Sequence, residues 1–283
     1  MSPYRDRQAS LATQHGKQRA IAAPFLRILG IRIVTPPCLD TDALGTFSGE
    51  VERRGTPLEA CLDKARLGMA ASGLPFGLAS EGSFGPHPLV PFIPGGVEIM
   101  TFVDDENGLV ISESLIAEKT NYGHREARRL DDIAEWLPLV GFPSHALIVR
   151  PKSPDRAEPA EKGLVDLDRL GAAIARAAGR SEDGLALVEP DMRAHLNPMR
   201  MASVRKLAVR LARRLATPCP ICAAPGWGQT GTVKGLPCED CTSATGLVQF
   251  RVFRCGSCGH REETPRPDGL QRASSQYCPE CNP

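Results

Sequence analysis

The chain has 283 residues, a formal net charge of +1, 42% hydrophobic residues and 24% charged residues. That length allows one large domain or two smaller ones, each with a buried core, and the even charge balance argues against a protein that coats a polyanion. The apolar runs are too short to span a bilayer and the opening MSPYRDRQAS carries no apolar segment, so no membrane is expected and the cytoplasm is the expected compartment. In chain order, the patterning predicts a strand over 9–13, a break at Gln14–Lys17 and a helix over 17–29 that Pro24 should kink or delay. A strand over 31–36, a loop over 37–55, a helix over 57–71 and a strand over 75–80 follow. A hairpin turned at Asn107-Gly108 comes next, then a helix near 128–138, a strand at 145–150, a helix at 165–178, a strand at 184–188 and a basic helix at 199–215. Alternating helices and strands make the class α/β, and the expected fold is a curved mixed sheet in two lobes with flanking helices.

The cysteines divide the chain. Cys38 and Cys61 are isolated, whereas Cys219/Cys222, Cys238/Cys241, Cys255/Cys258 and Cys278/Cys281 form four CxxC knuckles near the end. Each knuckle offers two thiolates at a spacing that tetrahedral Zn²⁺ accepts, so eight ligands predict two structural zinc ions. Sequential and nested pairing of the knuckles both satisfy that count. The stretch VQFRVFRCGSCGHREE reads as strand, knuckle and second strand, the hairpin of a zinc ribbon. Two domains follow: an α/β domain over 1–215 and a double zinc-ribbon module over 216–283. The module is balanced in charge before its thiolates are counted, so it lacks the basic surface that nucleic acid needs, and a docking role toward nucleic acid or protein is the second reading of the chain.

Several polar residues in the first two-thirds suit an anion or a metal. A strand that stops at a glycine-containing turn and feeds a helix leaves backbone N–H groups and a positive dipole end, so Gly16 and Lys17 are candidates to hold a phosphate. Glu81 follows an apolar strand, at the end where α/β ligand sites gather. Glu59 is a candidate metal ligand, but Thr56-Pro57-Leu58-Glu59 is also a capping box with proline at the first helical position. Within DTDALGTFSGE, Asp40 and Asp42 offer oxygen ligands for Mg²⁺. In MRAHLNPMR, Arg193, His195 and Arg200 cluster before the basic helix, where Asn197 with Pro198 would equally make an ordinary cap.

Taken in order, these segments resemble the inosine-triphosphate-pyrophosphatase-like superfamily of nucleotide pyrophosphatases, which includes the Maf-like proteins. LATQHGK is similar to its T-x-N-x-x-K phosphate loop, with Thr13 and Lys17 on the match and His15 where Asn is usual. TPLEACLDKARLGMAASGLPFGLASEG resembles its helix with F-x-E-N-A-x-x-K-A and the following A-D-D-S-G. That likeness implies a metal role for Glu59, a phosphate role for Lys64, and Ser80 and Glu81 at the paired carboxylates. GFPSHALIVRP resembles G-F-G-Y-D-P-x-F-x-P, which implies base recognition by Phe142 and His145, and VEPDMRAHLNPMRMASVRKL places Arg200 on the closing arginine. The resemblance implies a metal-dependent nucleotide-binding protein that hydrolyses a nucleoside triphosphate to monophosphate and pyrophosphate. It also implies that Thr13, His15, Lys17, Glu59, Glu81 and Arg200 line one cleft. Ser80, His15 and Met199 depart from the pattern. As a whole the chain more closely resembles an uncharacterised bacterial family with A-T-x-H-G-K, D-T-D-x-L-G-T-F-x-G-E and terminal cysteine knuckles, a likeness that implies no activity.

Overall fold

A computed structural model describes residues 2–37, 39, 55–88, 90–117, 119–152 and 160–283. The candidate magnesium ligands Asp40 and Asp42, with the rest of DTDALGTFSGE, lie outside the described residues. The chain divides into two units, 1–106 with 112–212, and 107–111 with 213–283. The second unit therefore starts inside the basic helix and takes in the tip of the expected hairpin, whose Ile111 lies against Gly226.

The first unit opens with β1 (Gln8–Leu11), α1 (Gln18–Leu29) and β2 (Arg32–Val34). Pro24 sits inside α1 without ending it. Its missing N–H removes one helical bond, and burial of Ala20, Ile21, Phe25 and Leu29 on the same helix outweighs that loss. Next come α2 (Pro57–Ser72), β3 (Phe76–Pro86), β4 (Pro94–Asp104) and β5 (Leu109–Ile116). The α2 helix starts on the capping box expected from Thr56 and Glu59, and the β4–β5 connection turns at Asn107-Gly108 as the sequence predicts.

These strands form a mixed sheet in the order β2-β1-β3-β4-β5, parallel from β2 through β3 and antiparallel between β3 and β4. Side chains alternate across each strand, so the two faces of β3 have different neighbours. Gly77, Ala79 and Glu81 face α2 together with their partners Val103, Thr101 and Ile99, and Cys61, Ala65 and Met69 pack there. Leu78, Ser80, Gly82 and Phe84 share the other face with Phe102, Met100 and Glu98. An aromatic cluster fills that side: Tyr4 meets Phe102 edge-on at 5.2 Å and Phe76 at 5.6 Å, and Phe25 of α1 lies 6.3 Å from Phe102.

A second lobe carries its own sheet. After β6 (Arg125–Ala127) a one-turn 3-10 helix at Leu130–Ile133 and the short α3 (Trp136–Leu139) replace the single helix expected near 128–138. Then β7 (Leu147–Pro151), β8 (Glu161–Leu164), α4 (Leu167–Gly179) and β9 (Ala186–Pro190) complete an antiparallel sheet in the order β6-β9-β7-β8. Its core joins Leu147, Val149 and Val188 to Leu170 and Ile174 of α4, with Phe142 packed at the margin. The long α5 (Pro198–Ala216) begins in the first unit and buries Val204, Leu207, Ala208, Leu211 and Leu215, the stripe read from the sequence.

The three-stranded sheet of the second unit, β10 (Gly228–Lys234), β11 (Val248–Arg254) and β12 (Arg261–Pro265), is antiparallel throughout. The α/β class and the cysteine-rich end are thus as expected. Phe102 is fully buried at the centre of the aromatic cluster, so Phe102→Ala should cost about 3–5 kcal/mol in urea unfolding followed by far-ultraviolet circular dichroism. A cost under about 1 kcal/mol would show that the cluster does not hold the first sheet together.

Candidate functional site

The geometry begins where β1 stops. Its last ladder bond to β3 runs from the Ala12 N–H to the Leu78 carbonyl at 3.1 Å. The next carbonyl on that edge of β3, Ser80 O, has no strand beside it, and the Lys17 ammonium donates to it at 2.6 Å. Gly16, at φ +64°, supplies the left-handed turn that brings Lys17 back toward the sheet. Lys17 is buried, and that burial lowers its pKa. Arg200 lowers it further, while Glu81, Glu98 and Cys61 act the other way.

On the α2 face, Lys64 Nζ lies 2.6 Å from Glu81 Oε1. On the opposite face, Arg200 Nε donates to Glu98 Oε1 at 2.6 Å, and the guanidinium stacks 5.1 Å from the Phe84 ring centre. Gly82 lies directly beneath this pair, and a Cβ there would come within 2.5 Å of Arg200 and 2.7 Å of Glu98. Lys17, Lys64, Glu81, Glu98 and Arg200 are each at most 7% exposed. Three cations thus face two carboxylates among the described residues. Burying charges is costly, so such an accumulation is weak evidence for stability and better evidence for a site. The Ser80 hydroxyl, on the Arg200 face, is buried with no hydrogen-bond partner. Beside Glu98 and Arg200 a shallow depression is lined by Phe84, Lys119, Thr120, Asn121, Met199 and Ser203.

The expectation of one cleft needs correction. Lys17, Glu81 and Arg200 converge, but the β3–β4 register places Glu81 and Arg200 on opposite faces, with Lys17 at the gap between them. Glu59 does not join them. Its exposed carboxylate accepts from Thr56 N at 2.7 Å and from the Thr56 hydroxyl at 2.9 Å, and these bonds hold its pKa below the usual range, so capping accounts for it.

Thr13 Oγ1 accepts from the His15 N–H at 3.3 Å and shapes the turn. His15 stacks on His195, with ring centres 5.4 Å apart and planes at 19°. Arg193 is held by the fully buried Asp191 at 2.6 Å. Asn197 caps α5 by accepting from Arg200 N at 3.0 Å, the ordinary reading of that segment. His145 is a second cap rather than an open recognition group: its Nε2 accepts from Met199 N at 3.2 Å, which places the ring proton on Nδ1 beside Ser144. Phe142, partly buried, packs against the core of the second lobe. Sequence reasoning missed Glu98, Phe84 and Asn121, since Glu98 sits in an otherwise apolar strand and only the register places it under Arg200.

The eight cysteines form two sets, and the pairing is neither sequential nor nested. Cys219 and Cys222 join Cys255 and Cys258, and Cys238 and Cys241 join Cys278 and Cys281. The strands dictate this. β10, β11 and β12 each carry the chain from one end of the sheet to the other, so the first and third knuckles share one end and the second and fourth share the other. Sequential pairing would need ligands a strand length apart, about 20 Å. The donor sets fit Zn²⁺: Sγ–Sγ separations are 3.8 and 3.6 Å in one set and 3.9 and 3.5 Å in the other. A regular tetrahedron with Zn–S bonds of about 2.3 Å has edges of about 3.8 Å, whereas a disulfide would be about 2.05 Å. Four thiols at this spacing cannot ionise independently. Ser243 holds Cys241 down to about 6, and Cys241 in turn pushes Cys281 up to about 12. A bound dication would stabilise all four thiolates. Ala223 and Thr242, just after their knuckles, take positive φ (58° and 64°), a strained conformation that knuckle closure imposes on residues other than glycine.

Two measurements check these points. Metal analysis should return two zinc ions per chain. Cys219→Ser with Cys255→Ser should lose one of them, and Cys219→Ser with Cys238→Ser both; the reverse outcome would restore sequential pairing. For His15, burial first, then Lys17, His195, Arg200 and Arg193, lower the pKa to about 4. A base depressed in the folded state contributes stability that is complete above its unfolded pKa of about 6.5 and is lost as pH falls through about 4. His15→Asn should flatten the stability profile over that window in thermal unfolding, and an unchanged profile would contradict the assignment.

Among the described residues no helix is long and apolar enough to cross a membrane. No curated protein matches the chain by sequence. A family model described as "Domain of unknown function (DUF6671)" matches residues 64–283, a span that includes Lys64, Glu81, Glu98, Arg200 and all eight knuckle cysteines and begins after the Lys17 turn. The chain, by this match over most of its length, belongs to the DUF6671 family.

Proposed function

We propose that the α/β unit binds a nucleoside phosphate at the end of β1 and hydrolyses a nucleoside triphosphate to monophosphate and pyrophosphate. The observation that carries the binding step is the surplus of buried positive charge among the described residues, Lys17, Lys64 and Arg200 against Glu81 and Glu98. A phosphoryl group would neutralise that surplus where the first turns of α1 and α5 add favourable dipole ends. Hydrolysis rests on the motif resemblance, with Glu81 as the group that would orient water. Mg²⁺ enters through that resemblance and through Asp40 and Asp42, which lie outside the described residues. Among the described residues the groups of three or more metal-ligating side chains are the two cysteine sets, so no step is assigned to magnesium.

One observation favours the second reading, binding without turnover. Glu81 and Glu98 are each already engaged by a cation, so a carboxylate would have to give up its partner before serving a metal or a water. In that reading the zinc unit is the docking element, toward a protein or a nucleic acid.

Calorimetry and a pyrophosphate-release assay over a panel of nucleoside triphosphates with Mg²⁺ separate these readings. Lys17→Met should weaken binding about tenfold to a hundredfold with zinc content and circular dichroism unchanged. Glu81→Gln should retain binding and lose turnover by about a hundredfold or more. Binding without turnover in the parent leaves the second reading, and no binding to any nucleotide overturns both steps.

A further inference from the structure

The buried cations leave an outer group of residues unused. His15 and His195 stack at the mouth of the β1–α1 turn, with His195 exposed and His15 half-buried. Gly16 brings the two together: a Cβ on it would lie 3.5 Å from His195 Cβ, and its left-handed φ fixes the turn. The charges of Lys17, Arg200 and Arg193 act on His15, and those of Arg193, Asp191 and Arg19 act on His195. Asp191 is the one carboxylate in this set, and it is engaged by Arg193.

Two imidazoles offer donors that a transition metal could use, but the surrounding charge decides against a cation. Among the described residues Asp191 offsets Arg193 and Glu98 offsets Arg200, which leaves Lys17 and Arg19 as net positive charge and selects an anion, to which neutral imidazoles can each donate one N–H. His15 sits two residues before Lys17 in the same turn, and burial falls from Lys17 through His15 to His195, so an anion at the histidines could be continuous with one held by Lys17.

We infer that His15, His195, Arg193 and Arg19 form an outer anion subsite for the second or third phosphoryl group of a polyphosphate chain whose first group is held by Lys17 and Arg200. This rests on the phosphate-binding reading above and adds to it the residues that would favour di- and triphosphates over monophosphates. The stacked pair is thus a length gauge. A single phosphate reaches only the inner cations, whereas a longer chain gains the imidazole N–H groups and Arg193.

The test uses the zinc-loaded full chain with inorganic phosphate and inorganic pyrophosphate as probes. Calorimetry gives the affinities, and proton NMR follows the His15 and His195 rings through pH. Pyrophosphate should raise the pKa of both histidines and phosphate should leave them nearly unchanged. His195→Ala, at an exposed position, should weaken pyrophosphate about threefold to tenfold and phosphate not at all. If pyrophosphate binds while both histidines titrate as in the free protein, or while His195→Ala has no effect, the outer subsite is wrong and the phosphate-binding reading stands. If neither anion binds, that reading falls and the subsite with it.

Discussion

The hydrogen bond from Lys17 to the Ser80 carbonyl is the constraint around which the first unit is organised. β1 has four residues and β3 has eleven, so β3 runs on past its parallel neighbour and leaves a backbone acceptor with no strand to satisfy it. A buried carbonyl without a partner is costly, and a water or a side chain must take the place of the missing strand. Here a lysine ammonium takes it. The choice brings a full charge into the sheet plane, and the pairs Lys64–Glu81 and Arg200–Glu98 lie within reach of it on either face. Gly82 leaves room for one of these pairs and the cap at Asn197 fixes the start of the helix that delivers Arg200.

This arrangement explains why the site is charged, buried and still unsatisfied. An ion pair removed from water returns little net stability, and a fifth buried charge, without a carboxylate of its own among the described residues, makes the group less favourable still. Burial above all, and then Arg200, lowers the pKa of Lys17, while Glu81 and Glu98 oppose the shift. A bound anion would relieve it, which links the cost of folding this region to its proposed use. The second unit solves a different problem. Its sheet has exposed strands and little core, so the four knuckles close its two ends, and metal binding would then be inseparable from its folding.

Much of this was legible in the sequence, and the failures have physical causes. Local signals held: Thr56 and Glu59 cap α2, Asn107-Gly108 turns a hairpin, the apolar stripe of α5 is buried, and the CxxC spacing marks two four-thiolate sets. Pairing of the knuckles was misjudged because each pair of neighbours is separated by a strand, GQTGTVK, VQFRVFR or REETP, and a strand moves the next knuckle to the far end of the sheet. Reading those strands as spacers would have given the interleaved answer. The site was half visible. Lys17, Lys64, Glu81 and Arg200 were found by motif, yet the faces they occupy depend on the β3–β4 register, which no local pattern reveals. Glu98 and the role of His145 as a cap are long-range facts of the same kind.

The central claim is that Lys17 is a buried cation, in deficit of negative charge among the described residues, whose charged form a bound anion would favour. The most direct measurement is the titration of its ammonium by heteronuclear NMR, assigned with Lys17→Met, in the free protein and with saturating pyrophosphate. The account predicts a pKa below the ordinary lysine value of 10.5 in the free protein and a rise toward it when pyrophosphate binds. A lysine that titrates normally in the free protein, or one whose titration is unmoved by bound pyrophosphate, would contradict it.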